Sequence, residues 1–423
     1  MAASNPLRAL LLVTAAAATA CSAGKMSQSE IAAGASSGGS AGTAPQPDAA
    51  SGSGGSGAGP SDGGGFYMDV AVGDSTPDGW DPCKATQIPD FDQDGFTTAD
   101  GDCADCDPNA NPGAFDVPGN GMDEDCNGVP DDTPTACDAA IVDIGYTDPM
   151  DGARAIGLCK QTGPTDRTWG VISAAYVKAD GSPGMNDLSH GLLDGFGPAV
   201  HPQEGTRMLV LSSGTARIPG QTGYQPVTGA QMGTTSTTPP GYPVDSPSCN
   251  VTTSSDTNAN DPAALEVKLR VPTNANSMSF NLDFYTYEFP GYVCSGFNDF
   301  FVALQTPPPP SALNGNVSFD AQGNPISVNA GFLEVCAPQT AGGKTFACAR
   351  GTGELSGTGF EPSAATGWLQ TVSPVEPGSE ITLRFAIWDM GDHILDSTVM
   401  VDKFEFSIEP QGEAGTIPVP TPR

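Results

Sequence analysis

Leu265-Glu266-Val267-Lys268-Leu269-Arg270-Val271 puts an apolar side chain at every second position and a charge between each pair. Successive side chains of an extended chain point to opposite faces, so a period of two marks a strand with one face buried and one in water. The same alternation returns at Phe280, Leu282 and Phe284, and again at Ile381, Leu383, Phe385 and Ile387. β-Branched and aromatic residues fill these positions, as a pleated, half-buried surface prefers. Gly, Pro and Asn punctuate the chain between them. Residues 136–410 therefore read as a mainly β fold, a jelly-roll-like β-sandwich. One short helix is expected after Asp148-Pro149, an N-cap followed by a first-turn proline, running toward Leu158. Four consecutive prolines make the stretch from Thr306 to Ser311 a loop. Residues 411–423 read as a short tail.

The other end of the chain has a different chemistry. Arg8 precedes an apolar run from Ala9 to Ala20 that is too short to span a bilayer and ends in small residues, so residues 1–20 read as a secretory signal peptide. Cys21 follows directly, as in a bacterial lipobox, although Ala18 stands where Leu is usual. A lipidated Cys21 would anchor the protein, each buried methylene contributing about 0.8 kcal/mol. From there to about residue 80 the chain is almost all Gly, Ser, Ala and Pro, a composition that buries no core and makes a flexible linker. The expected location is the outer membrane or cell surface of a Gram-negative bacterium. Eleven cysteines, less Cys21, leave an even number for an oxidising compartment. Pairing by proximity suggests Cys106 with Cys126, Cys137 with Cys159 and Cys336 with Cys348.

The net charge is −33, and twelve aspartates, one glutamate and no Lys or Arg lie between residues 90 and 132. Such charge disfavours nucleic acid as a partner. Its spacing is ordered. Asp90-Phe91-Asp92-Gln93-Asp94-Gly95 reads D-x-D-x-D-G, in which alternate carboxylates converge and the glycine permits a sharp turn. The Phe96 carbonyl occupies the seventh position. The twelfth, where an EF-hand places a closing Glu, is Gly101, flanked by Asp100 and Asp102. Shorter echoes follow at Asp105, Asp107 and Asn109, and at Asp123, Asp125 and Asn127, with Asp131 just beyond. All these donors are oxygen, which suits Ca²⁺ and argues against Zn²⁺ or Cu²⁺. Residues 81–135 are thus an acidic, disulfide-containing Ca²⁺-binding module.

Two resemblances follow from these residues. The D-x-D-x-D-G run, Asp105-Cys106-Asp107, Asn111-Pro112-Gly113-Ala114 and Gly119 to Gly128 resemble the metal-binding-motif module repeated in secreted bacterial proteins. Thr168 to Ala174, His190 to Leu193, Arg207 to Gly214, Glu288 to Val293, Phe297 to Phe301 and Trp388 to Ser397 resemble the choice-of-anchor L family. That resemblance implies a surface location and a sandwich fold, and no transferable activity.

A second group of polar residues falls at expected strand ends, where the loops of a sandwich gather: Glu288, Asn298, Asp299, Asp389, Asp392 and Asp396. They would bind a second Ca²⁺, or a sugar through it, or simply make turns. Enzyme signatures are weak. Past the linker there is no Gly-x-Ser-x-Gly elbow and no His-Glu-x-x-His pair, and Gly342-Gly343-Lys344-Thr345 lacks the first glycine of a phosphate loop, which is Pro338. Ser212 or Ser213 with His190 or His201 has no supporting spacing, and His190 reads as structural. The expectation is a non-enzymatic surface protein presenting its sandwich to a glycan or another protein. The alternative is a secreted hydrolase using Glu288 with Asp299 or Asp396, as glycosidases use paired acids.

Overall fold

The computed structural model describes residues 90–132, 136–141, 148–249 and 257–420. The expected signal peptide, Cys21, the linker and the first residues of the acidic module lie outside the described residues. In chain order the elements are α1 (Pro149–Ala155), β1 (Gly170–Val177), β2 (His190–Leu193), β3 (Met208–Ser212), β4 (Thr235–Thr237), β5 (Asn258–Arg270), β6 (Ser277–Thr286), β7 (Phe300–Thr306), β8 (Ile326–Ser327), β9 (Gln339–Ala341), β10 (Lys344–Phe346), β11 (Ala364–Ala365), β12 (Leu369–Pro374), β13 (Glu380–Asp389), β14 (Ser397–Ser407) and β15 (Gly415–Pro418).

Among the described residues these strands form two large antiparallel sheets. A six-stranded sheet runs β1-β5-β13-β7-β8 with β4 also on β5, and a seven-stranded sheet runs β15-β12-β6-β14-β3-β2 with β11 also on β6. β9 and β10 make a separate hairpin. The sheets bury their facing sides against each other. Leu265, Val267 and Leu269 of β5 and Leu383 and Phe385 of β13 meet Phe280, Leu282 and Phe284 of β6 and Val399 and Val401 of β14 in one core. Phe280 and Phe385 touch edge to face across it, with ring centroids 5.0 Å apart. Each fully buried aliphatic or aromatic side chain contributes about 1.5–3 kcal/mol. The charges between the apolar positions of β5 face outward and pair across the ladder. Glu266 stands opposite Arg384 and Arg270 opposite Glu380, and both pairs are salt-bridged.

The helix forms where its cap predicts. Asp148 accepts the Met150 N–H at 3.0 Å, Pro149 occupies the first turn, and α1 ends at Ala155. The four prolines connect β7 to a loop. The chain past residue 410 rejoins the sandwich. β15 pairs with β12, and Thr416 is buried with its hydroxyl 2.8 Å from that of Thr371.

Four disulfides join described cysteines: Cys103–Cys126, Cys137–Cys159, Cys249–Cys294 and Cys336–Cys348. Two match the expected pairs. The expected Cys106–Cys126 bridge is corrected to Cys103–Cys126. The Cys103 N–H already lies 3.1 Å from the Cys126 sulfur, and the turn after it, closed by Asp107 N–H to Ala104 O at 2.7 Å, carries Cys106 onward. Cys106 is itself disulfide-bonded.

The acidic module rests on the turn between β5 and β6. Thr273 N–H donates to Gly113 O at 2.9 Å, and the Thr273 hydroxyl donates to Asn111 Oδ1 at 2.8 Å. Asn274 holds Phe115 through both its backbone groups. Gly113 is required by this closeness: a Cβ there would stand 2.9 Å from Thr273 Cγ2 and 3.0 Å from the Phe96 ring. Arg167 lies over the opposite side of the contact, its guanidinium 4.4 Å from the Phe96 ring centroid and 3.1 Å from Asp100.

Candidate metal centre

The D-x-D-x-D-G loop folds on its own carboxylates. Asp90 Oδ2 accepts Gly95 N–H at 3.0 Å, Asp92 Oδ1 accepts Asp94 N–H at 3.3 Å, and Asp94 Oδ1 accepts Phe96 N–H at 2.7 Å. These are the local turns that Asp readily makes. Gly95 has φ +94°, which the sharp bend needs. Each aspartate thereby spends one oxygen on the backbone. The other oxygens, Asp90 Oδ1, Asp92 Oδ2 and Asp94 Oδ2, are buried without a hydrogen-bond partner. Asp102 divides its oxygens the same way: Oδ1 takes Ala104 N–H at 2.8 Å, and Oδ2 is buried and unpaired.

Asp90, Asp92 and Asp94 form one triad, and Asp92, Asp102 and Asp105 another, with carboxylate oxygens all within 4.8 Å of one another in each. Asp92 belongs to both, so the two triads make one centre. Asp105 is almost wholly buried and is fixed by the Phe91 N–H at 3.0 Å and the Thr98 hydroxyl at 3.3 Å. The electrostatics record the crowding. Burial, with repulsion from Asp92 and Asp102, pushes the Asp94 carboxyl up to about 6. Burial also raises Asp92 and Asp102, with repulsion from Asp90 and Asp105 added in each case.

The remaining expected ligands separate. Asp100 leaves the centre: it forms a capping box with Thr97 on the 3-10 turn Thr98–Asp100 and pairs with Arg167, which hold its carboxyl below the usual range. Phe96, whose carbonyl is the expected ligand, buries its ring against Gly113. Asp107 and Asn109 are bonded to each other, through the Asn109 N–H at 3.1 Å and its carboxamide at 3.2 Å.

The third repeat makes a second, different cluster. Asp123 turns its own loop by accepting Asn127 N–H and Gly128 N–H, and Asp131 accepts Asn120 N–H and Gly121 N–H. Asn127 accepts Val129 N–H and donates to Asp132 at 3.0 Å. The triad here is Asp116, Asp125 and Asp132. Asp116 was invisible to spacing, since it belongs to no D-x-D run. It is buried and orders the repeat by accepting Asp125 N–H at 2.9 Å and Asp132 N–H at 3.1 Å. Lys160 supplies a protein cation to this cluster, 3.3 Å from Asp125.

Other expected groups resolve simply. The His190 ring has both nitrogens buried without partners and lies 3.9 Å from the Tyr176 ring centroid. Burial lowers it to about 4. The Ser212 hydroxyl bonds to Ser397 O and Thr398 instead. Gly342 and Gly343 make the turn of the β9–β10 hairpin, and Lys344 donates to Ser248 and to Asn329 O. Glu288, Asn298, Asp299, Asp389 and Asp396 do gather at one end of the sandwich, all buried, while Asp392 turns its loop by accepting Ile394 N–H at 2.9 Å.

Two packed antiparallel sheets, with a disulfide-linked acidic module seated on the turn between two of their strands, define a β-sandwich. The family model for the Choice-of-anchor L domain matches residues 186–407, more than half of the chain, and the protein belongs to that family. Domains of this family are typical of cell-surface proteins. No curated protein matches the chain.

Proposed function

We propose that this is an exported, lipid-anchored surface protein in which a Ca²⁺-stabilised acidic module supports a sandwich that binds a glycan or another protein, without catalysis. The observation that carries the reading is the centre around Asp92. Four carboxylate oxygens, from Asp90, Asp92, Asp94 and Asp102, are buried in it with no donor. Leaving a buried carboxylate oxygen without a donor costs about 1–3 kcal/mol even when its twin is bonded. A hard cation taking six to eight oxygens at 2.3–2.6 Å removes that cost for all of them together. The role is structural, because every other oxygen of these residues already shapes the loop.

The hydrolase alternative meets an obstacle in burial. Glu288 and Asp299 are 3% and 0% exposed, so a sugar has no path to lie between them. Calcium titration by calorimetry and thermal melting tests the metal reading. Binding heat and a melting point lowered by EDTA are expected; no heat and unchanged melting would reject it. Metabolic labelling with a palmitate analogue, lost in Cys21→Ser, tests the anchor. Turnover on a glycan panel that Glu288→Gln abolishes would restore the hydrolase.

A further inference from the structure

Five strand ends meet at one end of the sandwich. β6 stops at Thr286, β7 starts at Phe300, β13 stops at Asp389, β14 starts at Ser397 and β3 stops at Ser212. The ladders hold these ends side by side: Ser397 faces Thr286, Thr398 faces Ser212, and Trp388 faces Phe300. Acids at or just beyond the ends, Glu288, Asp299, Asp389 and Asp396, therefore come together from both sheets, and all four are buried.

Asp299 is the hub. Its N–H donates to Glu288 Oε2 at 3.0 Å, its carboxyl is within hydrogen-bonding reach of Asp389, and its Oδ2 lies 3.4 Å from the Ser213 hydroxyl. Its Oδ1 has no partner. Neither does Asp396 Oδ2, nor either polar atom of the Asn298 carboxamide, although Asn298 is 1% exposed and Asp299 wholly buried. The backbone closes tightly on the group: a Cβ at Gly214 would stand 1.9 Å from Asp396 Oδ2. The salt bridges of the described residues lie elsewhere; the nearest joins His393 to the neighbouring Asp261 at 2.8 Å.

A shared proton satisfies one pair of carboxyls, such as Asp299 and Asp389. It leaves Asp299 Oδ1 and Asp396 Oδ2 unpaired, and the Asn298 carboxamide without a partner at either end. A set of oxygens short of donors is what a hard divalent cation satisfies. We propose that Glu288, Asn298, Asp299, Asp389 and Asp396 form a water-excluded site for a divalent cation of the calcium class, which ties the two sheets together at this end. The group is looser than the module's triads, so the ion would draw its oxygens inward. Burial raises all four acids, Asp396 to about 9 and Asp389 to about 12, and neighbouring carboxylates add to it, Asp392 on Glu288, Asp299 and Asp389, and Asp261 on Asp396, which agrees with a site that lacks a compensating charge of its own.

This site is independent of the module. The module sits on the turn before β6, and the carboxylates lie beyond the far end of that ten-residue strand, roughly 30 Å away at 3.3 Å per residue. Native mass spectrometry of the full chain in calcium counts the ions. Asp299→Asn/Asp389→Asn is expected to carry one ion fewer than the parent, and Asp90→Asn/Asp94→Asn to lose its ion from the module instead. If the module variant loses an ion while a folded Asp299→Asn/Asp389→Asn chain keeps the full count, the proposed function stands and this inference fails. Hydrogen exchange on the unmodified chain tests the same point without a substitution. Residues 287–299 and 389–397 should exchange more slowly in calcium than in EDTA, and equal exchange in the two would overturn the site.

Discussion

Asn274 clasps Phe115 by both of its backbone groups: its carboxamide oxygen accepts the Phe115 N–H at 3.1 Å, and its carboxamide nitrogen donates to the Phe115 carbonyl at 2.8 Å. The two residues are 159 apart in sequence, and Asn274 is buried. Asn274→Ala removes both bonds and leaves two backbone groups of the module short of partners. We expect a loss of about 2 kcal/mol, read as a melting point lower by roughly 5 °C. Proteolysis should then nick the acidic module before the sandwich.

Asp92 is the residue shared by both triads of the metal centre. Asp92→Asn should weaken calcium binding by about tenfold or more, which corresponds to about 1.4 kcal/mol or more. In EDTA the same variant should melt no lower than the parent, since it also removes repulsion among buried carboxylates. Calorimetry and melting with and without calcium separate the two effects. A variant with parental affinity would remove Asp92 from the centre.

Two buried groups set opposite pH dependences. His190 is lowered from 6.5 to about 4 by burial, with the Arg217 charge assisting. The folded state binds its proton less well, so the stabilisation is present above 6.5 and is lost as pH falls toward 4. Asp283 is raised from 3.8 to about 7 by burial, with Glu354 repelling it, and its Oδ2 has no partner. Its contribution is full below 3.8 and is lost as pH rises through about 7. The two windows overlap between about pH 4 and 6.5 with opposite signs, so urea unfolding there should show His190→Phe removing a loss of stability toward acid and Asp283→Asn removing a loss toward neutral pH.

The Cys249–Cys294 bridge spans 45 residues. By loop entropy its removal should cost at most about 4 kcal/mol. Peptide mapping without reduction should recover Cys249–Cys294 and Cys103–Cys126, and the Cys249→Ser/Cys294→Ser chain should unfold at lower denaturant.

The strands that carry the core were legible because burial imposes a period of two. β5, β6 and β13 stand where Leu265, Phe280 and Ile381 begin their alternations. The α1 cap was legible because Asp148 acts on its own neighbours. The D-x-D-x-D-G loop was legible for the same reason, Asp92 and Asp94 bending the chain two residues on and Asp90 five. What escaped depends on distant partners. Asp100 turns away because Arg167, from 67 positions later, meets it. Asp116 joins a triad only once the chain has folded back. Cys103 competes with Cys106 for Cys126 through the shape of one turn, which sequence separation does not encode.

The seat of the module on the β5–β6 turn also has a mechanical meaning. Cys103–Cys126 and Cys137–Cys159 are covalent shortcuts across the segments they enclose. A pull applied at Asp90 would cross these two bridges, bypass much of the acidic chain and reach β1, an edge strand with a seven-pair ladder to β5. The clasp on Phe115 would carry part of the same load to the turn that follows β5, at the end where Gly170 faces Arg270. A protein held at its N-terminal side would pass tension through these two bridges before it reached the sandwich.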